Sequence, residues 1–426
     1  MKKLKSTLLV LLMAMICLVA YYLYIAVSDD GKSNEAGKKI AQEDNATDPQ
    51  QGEVVNNEPE EATTVTLVAV GDNFTHESVI NSGKQADGTY NYDFLFADTK
   101  DFVEAADIAV IFQTMIIAGN DKGVSGYPVF NAPEEMITAI DNAGFDVALM
   151  ASNHSNDKGT DGIRKCISLW NEKSDVLALG IHDNEQEAVN IPIMEIKGKK
   201  IAILNYTTDM NNPIVSSSEQ YMVNYLGVLN SATGNVSSAR LSESVLNDIR
   251  RADDQADFVI VFPYWGTEYE YDASEIQKSW AKLMTEAGAD LIIGARSHYI
   301  GEIEEITADN GNTSMCYYSL GNFCSSFNDA AAMVGGMARV NIVFDGENAY
   351  VDTQNSGIMP IVTQYSHSGN ADDEEARLSG VFPISVYTSE MASSHGIITR
   401  AGVNFSMELI DEIINSKIDS KYLMRE

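Results

Sequence analysis

Six apolar runs constrain the fold most: "TVTLVAV" (64–70), "DIAVIF" (107–112), "DVALMA" (146–151), "KKIAILNY" (199–206), "DFVIVFPYW" (257–265) and "DLIIGA" (290–295). They are rich in β-branched residues and show little polar alternation, which predicts strands buried on both faces, as in a parallel sheet. Amphipathic helical patterns alternate with them. "APEEMITAIDNAG" has Pro133 near its start, Met136, Ile137 and Ile140 on one face, and Gly144 as a stop. "GTDGIRKCISLWNEK", "ARLSESVLNDIRRA" and "ASEIQKSWAKLMTEAG" behave similarly. Beyond residue 310 the helical patterns cease, and "SMCYYSL", "ARVNIVF" and "IMPIVTQY" read as consecutive strands. Residues 366–385 read as loop around the charge run "DDEEAR". "SMELIDEIINSKI" (406–418) reads as a closing helix with Met407, Ile410, Ile414 and Ile418 on its inner face. The pattern predicts an α/β domain with a mainly parallel sheet, closed by strand pairs that add a second sheet or an edge.

Before this domain, "MKKLK" precedes the uncharged stretch "STLLVLLMAMICLVAYYLYIAV", long enough to cross a bilayer. Lys2, Lys3 and Lys5 would stay cytoplasmic, placing the chain beyond Val27 outside, with Tyr21, Tyr22 and Tyr24 in the outer interface. A cleaved signal peptide, with Ala26 and Ser28 as its small-residue site, is the competing reading. Residues 29–63 are acidic and nearly free of large apolar side chains, so they predict a disordered linker. The 62 Asp and Glu against 28 Lys and Arg give a formal charge of −34, which excludes nucleic acid as a broad-surface partner. The four cysteines include Cys17 in the apolar stretch. Cys166, Cys316 and Cys324 are too scattered for a disulfide framework or zinc knuckle and are expected as buried free thiols.

In open α/β sheets, function gathers at the carboxyl ends of the strands. Here those ends read "VGDNFTH", "IFQTMI", "ASNHSNDKG", "FPYWGTEY", "IGARSH" and "SLGNF". They supply Asp72, His76, Asn153, His154, Glu268, His298 and Asn322, a set of carboxylates, amides and imidazoles suited to a metal or phosphate centre. Each alone has an ordinary explanation as a cap, a turn residue or a solvated side chain. Recurrence at several strand ends is what marks the set.

"VAVGDNFTHESVINSG", "YNYDFLF", "GYPVFNAPEE", "AGFDVALMASNHSNDKG", "YWGTEYEY", "AGADLIIGARSH" and "YYSLGNF" closely resemble, in order from about residue 66 to 365, the CapA family of capsule or poly-γ-glutamate synthesis proteins. The resemblance implies a calcineurin-like metallophosphoesterase fold, a four-layer α/β/β/α sandwich, on a membrane-anchored extracytoplasmic protein. Together with the N-terminal reading above, it divides the chain into a cytoplasmic stub and transmembrane anchor (1–28), the acidic linker (29–63), a CapA-like α/β domain (64–365) and a C-terminal extension with the closing helix (366–426). It also implies roles: Asp72, Asn153 and His298 as metal ligands if a metal is retained, His154 as the catalytic acid, and His76 and Asn322 as binding residues; the strand-end reading adds Glu268, and its charge adds Arg296, to the expected binding set.

The departures fall where metal chemistry would be. Where the family reads Asn-Gln-Glu-Thr this chain has "FQTM", so Phe112 replaces an amide and Thr114 a carboxylate. Tyr264 replaces the histidine of His-Trp-Gly, and Arg296 and Ser297 replace the first two residues of a His-Pro-His loop. Phenylalanine is no ligand, a neutral phenol is a poor one, and arginine brings its own permanent charge. The expectation is a degenerate centre with no cofactor, serving capsule or poly-γ-glutamate type polymer synthesis by binding the polymer or other synthesis proteins. An active phosphohydrolase or amide hydrolase holding one divalent metal, or an anion or sugar sensor, is the alternative. The Arg296 guanidinium is expected either to replace the cation, by pairing with Asp72 or gripping an anionic ligand, or to point into solvent.

Overall fold

The computed structural model describes residues 62–368 and 375–425. The expected anchor and all but the last two residues of the expected linker lie outside them. Among the described residues no helix is long and apolar enough to cross a membrane.

All six runs form strands, within a set of β1 (Thr63–Asn73), β2 (Ile108–Phe112), β3 (Val147–Leu149), β4 (Leu177–Leu179), β5 (Ile193–Ile196), β6 (Lys199–Thr207), β7 (Gly227–Leu229), β8 (Val236–Leu241) and β9 (Phe258–Tyr264). The chain continues with β10 (Leu291–Ile293), β11 (Ile303–Thr307), β12 (Thr313–Tyr317), β13 (Asn322–Cys324), β14 (Val334–Asp345), β15 (Asn348–Val351), β16 (Gly357–Ser366) and β17 (Arg377–Pro383). The six runs divide between two large sheets. The first has the order β17-β16-β14-β1-β2-β3-β4, with β13 on β1 and β15 on β14; the second has the order β11-β12-β10-β9-β6-β5. Each is parallel at its centre, through β1-β2-β3-β4 and β6-β9-β10-β12; the first is antiparallel on its β14-β16-β17 side and the second at both edges. Burial on both faces is met equally by a helix or by another sheet, so the run pattern alone did not separate the two.

The packing shows which neighbour each face found. Phe112 on β2 meets Phe262 on β9 at 5.9 Å, and Phe344 on β14 meets Phe258 on β9 at 6.3 Å, so one face of each sheet enters a shared core. The other face of the second sheet, through Val259, Val261 and Ile292, packs on the helices Glu243–Asp253 and Glu275–Ala287. The second of these starts on a Ser274–Gln277 capping box and stops at Gly288 in the left-handed region, the cap chemistry its sequence predicts. The helices Glu135–Asn142 and Gly159–Lys173 bury the expected Met136, Ile137 and Ile140, and Ile163, Cys166, Leu169 and Trp170. Cys166, Cys316 and Cys324 are buried free thiols, as expected.

Four of the parallel strands begin one residue after an aspartate. Asp107, Asp146, Asp257 and Asp290 accept the backbone N–H of Thr66, Ala109, Lys200 and Val259 at 2.7–2.8 Å. Each donates its own N–H to the carbonyl of that same residue, at 2.8–2.9 Å. The leading "D" of "DIAVIF", "DVALMA", "DFVIVFPYW" and "DLIIGA" therefore closes the ladder where a neighbouring strand enters the sheet. It satisfies an N–H that has no strand partner. Burial raises the Asp146 carboxyl and pushes Asp290 up to about 7. At Asp107 burial works the same way, but the Lys197 ammonium and the Thr66 N–H and hydroxyl outweigh it and hold the group low.

The C-terminal extension differs from its expectation. The stretch read as loop contains β17, which pairs with β16 and buries Leu378 and Val381 at the edge of the first sheet. Its short apolar alternation is masked in sequence by the adjacent charge run. Strands and helices of residues 377–415 join the same compact unit as β1. His395 ties them down: one ring nitrogen lies 2.8 Å from the Thr363 carbonyl, and the other accepts the Ile397 N–H at 2.9 Å. Burial pushes this imidazole down to about 4, so it clamps in its neutral form. The closing helix spans Met407–Asn415, with Ile410 and Ile414 buried as expected.

Candidate functional site

β1 is flanked by parallel β2 on one side and antiparallel β14 on the other, so the crevice beyond its carboxyl end is where an α/β sheet offers a site. Gly71 is required there, because a Cβ would lie 1.9 Å from the Gly321 carbonyl oxygen. This close approach sets Asp72 in register with Asn322, with the Asp72 N–H bonded to Gly321 at 3.0 Å. The glycines of "VGD" and "SLGNF" thus bring two of the expected site residues together.

Asp72 is fully buried. Its Oδ1 accepts the Thr114 hydroxyl at 2.8 Å, so Thr114 supports one oxygen of the buried carboxylate. Its Oδ2 lies 3.5 Å from His298 Nδ1 and has no hydrogen-bond partner. His298 Nδ1 is also 3.1 Å from Asn322 Oδ1; the Asn322 Nδ2 is spent on Ser325 and the Ala332 carbonyl, so the imidazole is the donor to Asn322.

The Asn153-His154 turn is held in place by Ser152, whose hydroxyl donates to the Thr114 carbonyl at 2.6 Å. Asn153 Oδ1 is buried without a partner. His154 Nδ1 lies 2.8 Å from Asp157 Oδ2, and Asp157 also accepts the Phe130 N–H. A carboxylate only accepts, so the hydrogen is on Nδ1, and Nε2 accepts from the Asn211 amide nitrogen at 3.3 Å. The rings of His76, His154 and His298 all pack around Phe74, at 4.9, 5.9 and 5.1 Å. Burial, reinforced by His298, Arg400 and His154, pushes His76 down to about 3, and its Nδ1 accepts the Ser326 N–H.

Arg296 departs from two of its expected placements. It neither pairs with Asp72 nor points into solvent. Its side chain is 11% exposed and grips Asp209 with two bonds of 2.6 and 3.2 Å, while a third nitrogen donates to the Gly266 carbonyl at 2.7 Å. Glu268 lies 3.9 Å away. Burial opposes the charge on Arg296, but Asp209, Tyr264 and Glu268 together raise its affinity for the proton. Tyr264 is fully buried with its hydroxyl unpartnered; burial, then the Asp72 charge, holds the phenol protonated. Phe112 packs on Tyr264 at 6.3 Å and contributes only bulk. Of the four non-glycine residues with positive φ among the described residues, three sit here: Tyr269, Arg296 and His298. Such strain collects where a fold holds a side chain for a purpose.

Residues 66–326 match the family model described as "Bacterial capsule synthesis protein PGA_cap". The chain belongs to this family. It is 27% identical over 267 residues to "Capsule biosynthesis protein CapA" of Bacillus anthracis, a match covering 61% of this chain and 59% of that one. It is 28% identical over 191 residues to "PGA biosynthesis protein CapA" of Bacillus subtilis (strain 168), covering 45% of each. The chain thus spans about half the length of the curated relatives it matches. The crystal structure of TT1561 of Thermus thermophilus is 8% identical and covers 68% of this chain and 98% of its own, with a TM-score of 0.34. At that distance it decides nothing about the fold.

Sequence reasoning missed Asp157 and Asp209. The signal for Asp157 was present, three residues after His154 in "NHSND", where a tight turn returns a carboxylate to an imidazole. Asp209 carries no local signal; only the fold brings "YTTDM" from the end of β6 to the "GARSH" loop.

Proposed function

We propose that this family member is a membrane-anchored, extracytoplasmic component of capsule or poly-γ-glutamate type polymer synthesis. In this reading its two sheets and flanking helices form the α/β/β/α sandwich of metallophosphoesterases, and the two-metal centre of that fold has been lost. The names of the relatives support the setting, and the lysine-led apolar run supports the anchor. One observation carries the loss: among the described residues, no group of three or more His, Cys, Asp or Glu side chains is placed to hold a metal ion. A two-metal hydrolytic site needs ligands for both ions, ~3.5–4 Å apart. Phe112, Tyr264 and Arg296 stand where such ligands would be, and the Arg296 guanidinium supplies positive charge that Asp209 already balances. Such a protein would act by holding polymer or partner rather than by hydrolysis.

A second reading rests on the orphaned oxygens. Asp72 Oδ2 and Asn153 Oδ1 are buried acceptors with no donor, and His298 Nδ1, which would have to release its proton to ligate, lies 3.1 and 3.5 Å from two side-chain oxygens. Ligands bonded at ~2.1 Å to one ion sit about 3 Å from one another, so the spacing suits a single divalent cation. Such an ion would polarise an ester or amide oxygen, and His154, oriented by Asp157, would hold or release a proton at Nε2. Elemental analysis of the purified full-length chain after dialysis separates the readings. No bound ion is expected; one equivalent favours the single-metal enzyme, and two equivalents of zinc, manganese or iron overturn the proposal.

A further inference from the structure

The exposed rim of the candidate site is aromatic and acidic. Tyr127 is 80% exposed, and its ring stands 6.3 Å from Phe130, which packs on His154 at 4.6 Å. Across the site Tyr269, 46% exposed, covers the His298 ring at 5.4 Å. Phe327 lies between them, 4.6 Å from both His76 and His298 and 5.9 Å from Tyr269. The row continues from Tyr269 to Tyr299 at 6.1 Å and on to Tyr271, stacked on Tyr299 at 4.3 Å.

Single exposed aromatics are ordinary, but these rings come from four separate loops and make a chain of contacts across one site, with Tyr299 its buried member. Tyr269 keeps its place at a φ of +64°, which a bulky side chain adopts only at a cost. A row of rings suits a ligand that is itself a row of rings. A lone ammonium would want aromatic faces gathered around one point.

The charges narrow the ligand further. Glu268 is 39% exposed and 3.9 Å from the Arg296 guanidinium, and Asp329 stands beside Tyr299, whose hydroxyl it accepts at 2.9 Å. Both carboxylates act on the Tyr269 phenol. The guanidiniums near the site are engaged, Arg296 by Asp209 and Gly266, and Arg400 by the Ser326 carbonyl. Lys158 donates to Ser125, two residues before Tyr127. A polyanion would meet these carboxylates and a chain of net charge −34. A neutral sugar meets no such barrier. Its ring faces present C–H bonds to aromatic surfaces, and its hydroxyls donate to carboxylates.

We propose that the row Tyr127, Phe327, Tyr269 and Tyr271 is a binding track for a neutral glycan chain, with Glu268 accepting from its hydroxyls. This deepens the polymer-binding reading and rests on it for the setting, but not on the number of metals. The test applies the full-length chain to an array of neutral and acidic oligosaccharides, with poly-γ-glutamate and spermine as further probes. Retention on neutral glycans is expected, unchanged between about 50 and about 500 mM salt, because no ion pair is screened. Tyr127→Ala and Tyr269→Ala should each weaken it roughly two- to tenfold, and Tyr269→Phe should not. Tyr127 is exposed enough that its loss leaves the fold intact, which a melting curve confirms. No retention on any neutral glycan overturns the proposal, as does tighter, salt-sensitive binding of poly-γ-glutamate or spermine. Two metal equivalents in a preparation that retains glycan would end the degenerate-centre reading and leave the track standing.

Discussion

The two ends of the parallel strands treat the same side chains in opposite ways. At the amino ends, Asp107, Asp146, Asp257 and Asp290 each exchange two hydrogen bonds with one residue of the neighbouring strand. At the carboxyl ends, Asp72 Oδ2, Asn153 Oδ1 and the Tyr264 hydroxyl are buried without a partner, and three non-glycine residues hold left-handed backbones. A buried polar atom left unpaired costs roughly 1–3 kcal/mol, so the amino ends satisfy their backbone N–H groups while the carboxyl ends leave polar side-chain atoms unpaired. That asymmetry locates the site independently of any resemblance.

The largest effect that could sharpen this contrast is a pH dependence at the amino ends. Asp290 titrates near 7 in the fold against an ordinary value near 4, so the native state holds a proton that the unfolded chain has released. Its stabilising contribution is complete below about pH 4 and is lost as pH rises through about 7. Asp290→Asn keeps an acceptor for Val259 and carries no charge. It should exceed the wild type in stability above pH 7 by about 2–4 kcal/mol, with the gap closing toward pH 4. Denaturant titrations at several pH values check this, and a gap independent of pH would break it. Next in size, Asp146→Ala strands the Ala109 N–H and should cost about 1–3 kcal/mol, with Asp146→Asn recovering part of the loss. Smaller again is Arg296→Ala, at about 1–2 kcal/mol, because Asp209 is 41% exposed and water can replace the guanidinium. A double-mutant cycle with Asp209→Ala should show coupling; additive losses would mean that the pair does not hold the "GARSH" loop.

Much of this was legible in the chain. The apolar runs, with "SMCYYSL" for β12, marked every parallel strand of the two large sheet centres except the short β4, because burial on both faces leaves a strong imprint. What they could not reveal was the division into two sheets, since Phe112 and Phe262 look the same from sequence whether a helix or a strand lies opposite. β17 was hidden because "DDEEAR" overwhelms the alternation of "RLSGVFP". At the site, Asp72, Asn153, His154, His298 and Asn322 were readable as polar residues at strand ends. The Arg296–Asp209 pair was not, because its members lie 87 residues apart and no periodicity joins them. The aspartates that close the ladders stood in plain view at the head of four runs, but a single Asp before a strand reads as a turn residue until its partner N–H is seen.

The central claim is that Asp72 is retained at the expense of stability, and melting Asp72→Asn beside Asp146→Ala in chelator-treated protein tests it most directly. The amide keeps an acceptor for Thr114 and removes a buried charge with one unpaired oxygen. Asp72→Asn should therefore match the wild type or exceed it by up to about 1–2 kcal/mol, while Asp146→Ala falls below. If Asp72→Asn loses as much stability as Asp146→Ala, Asp72 is a structural carboxylate like those at the amino ends, and the contrast between the two ends collapses.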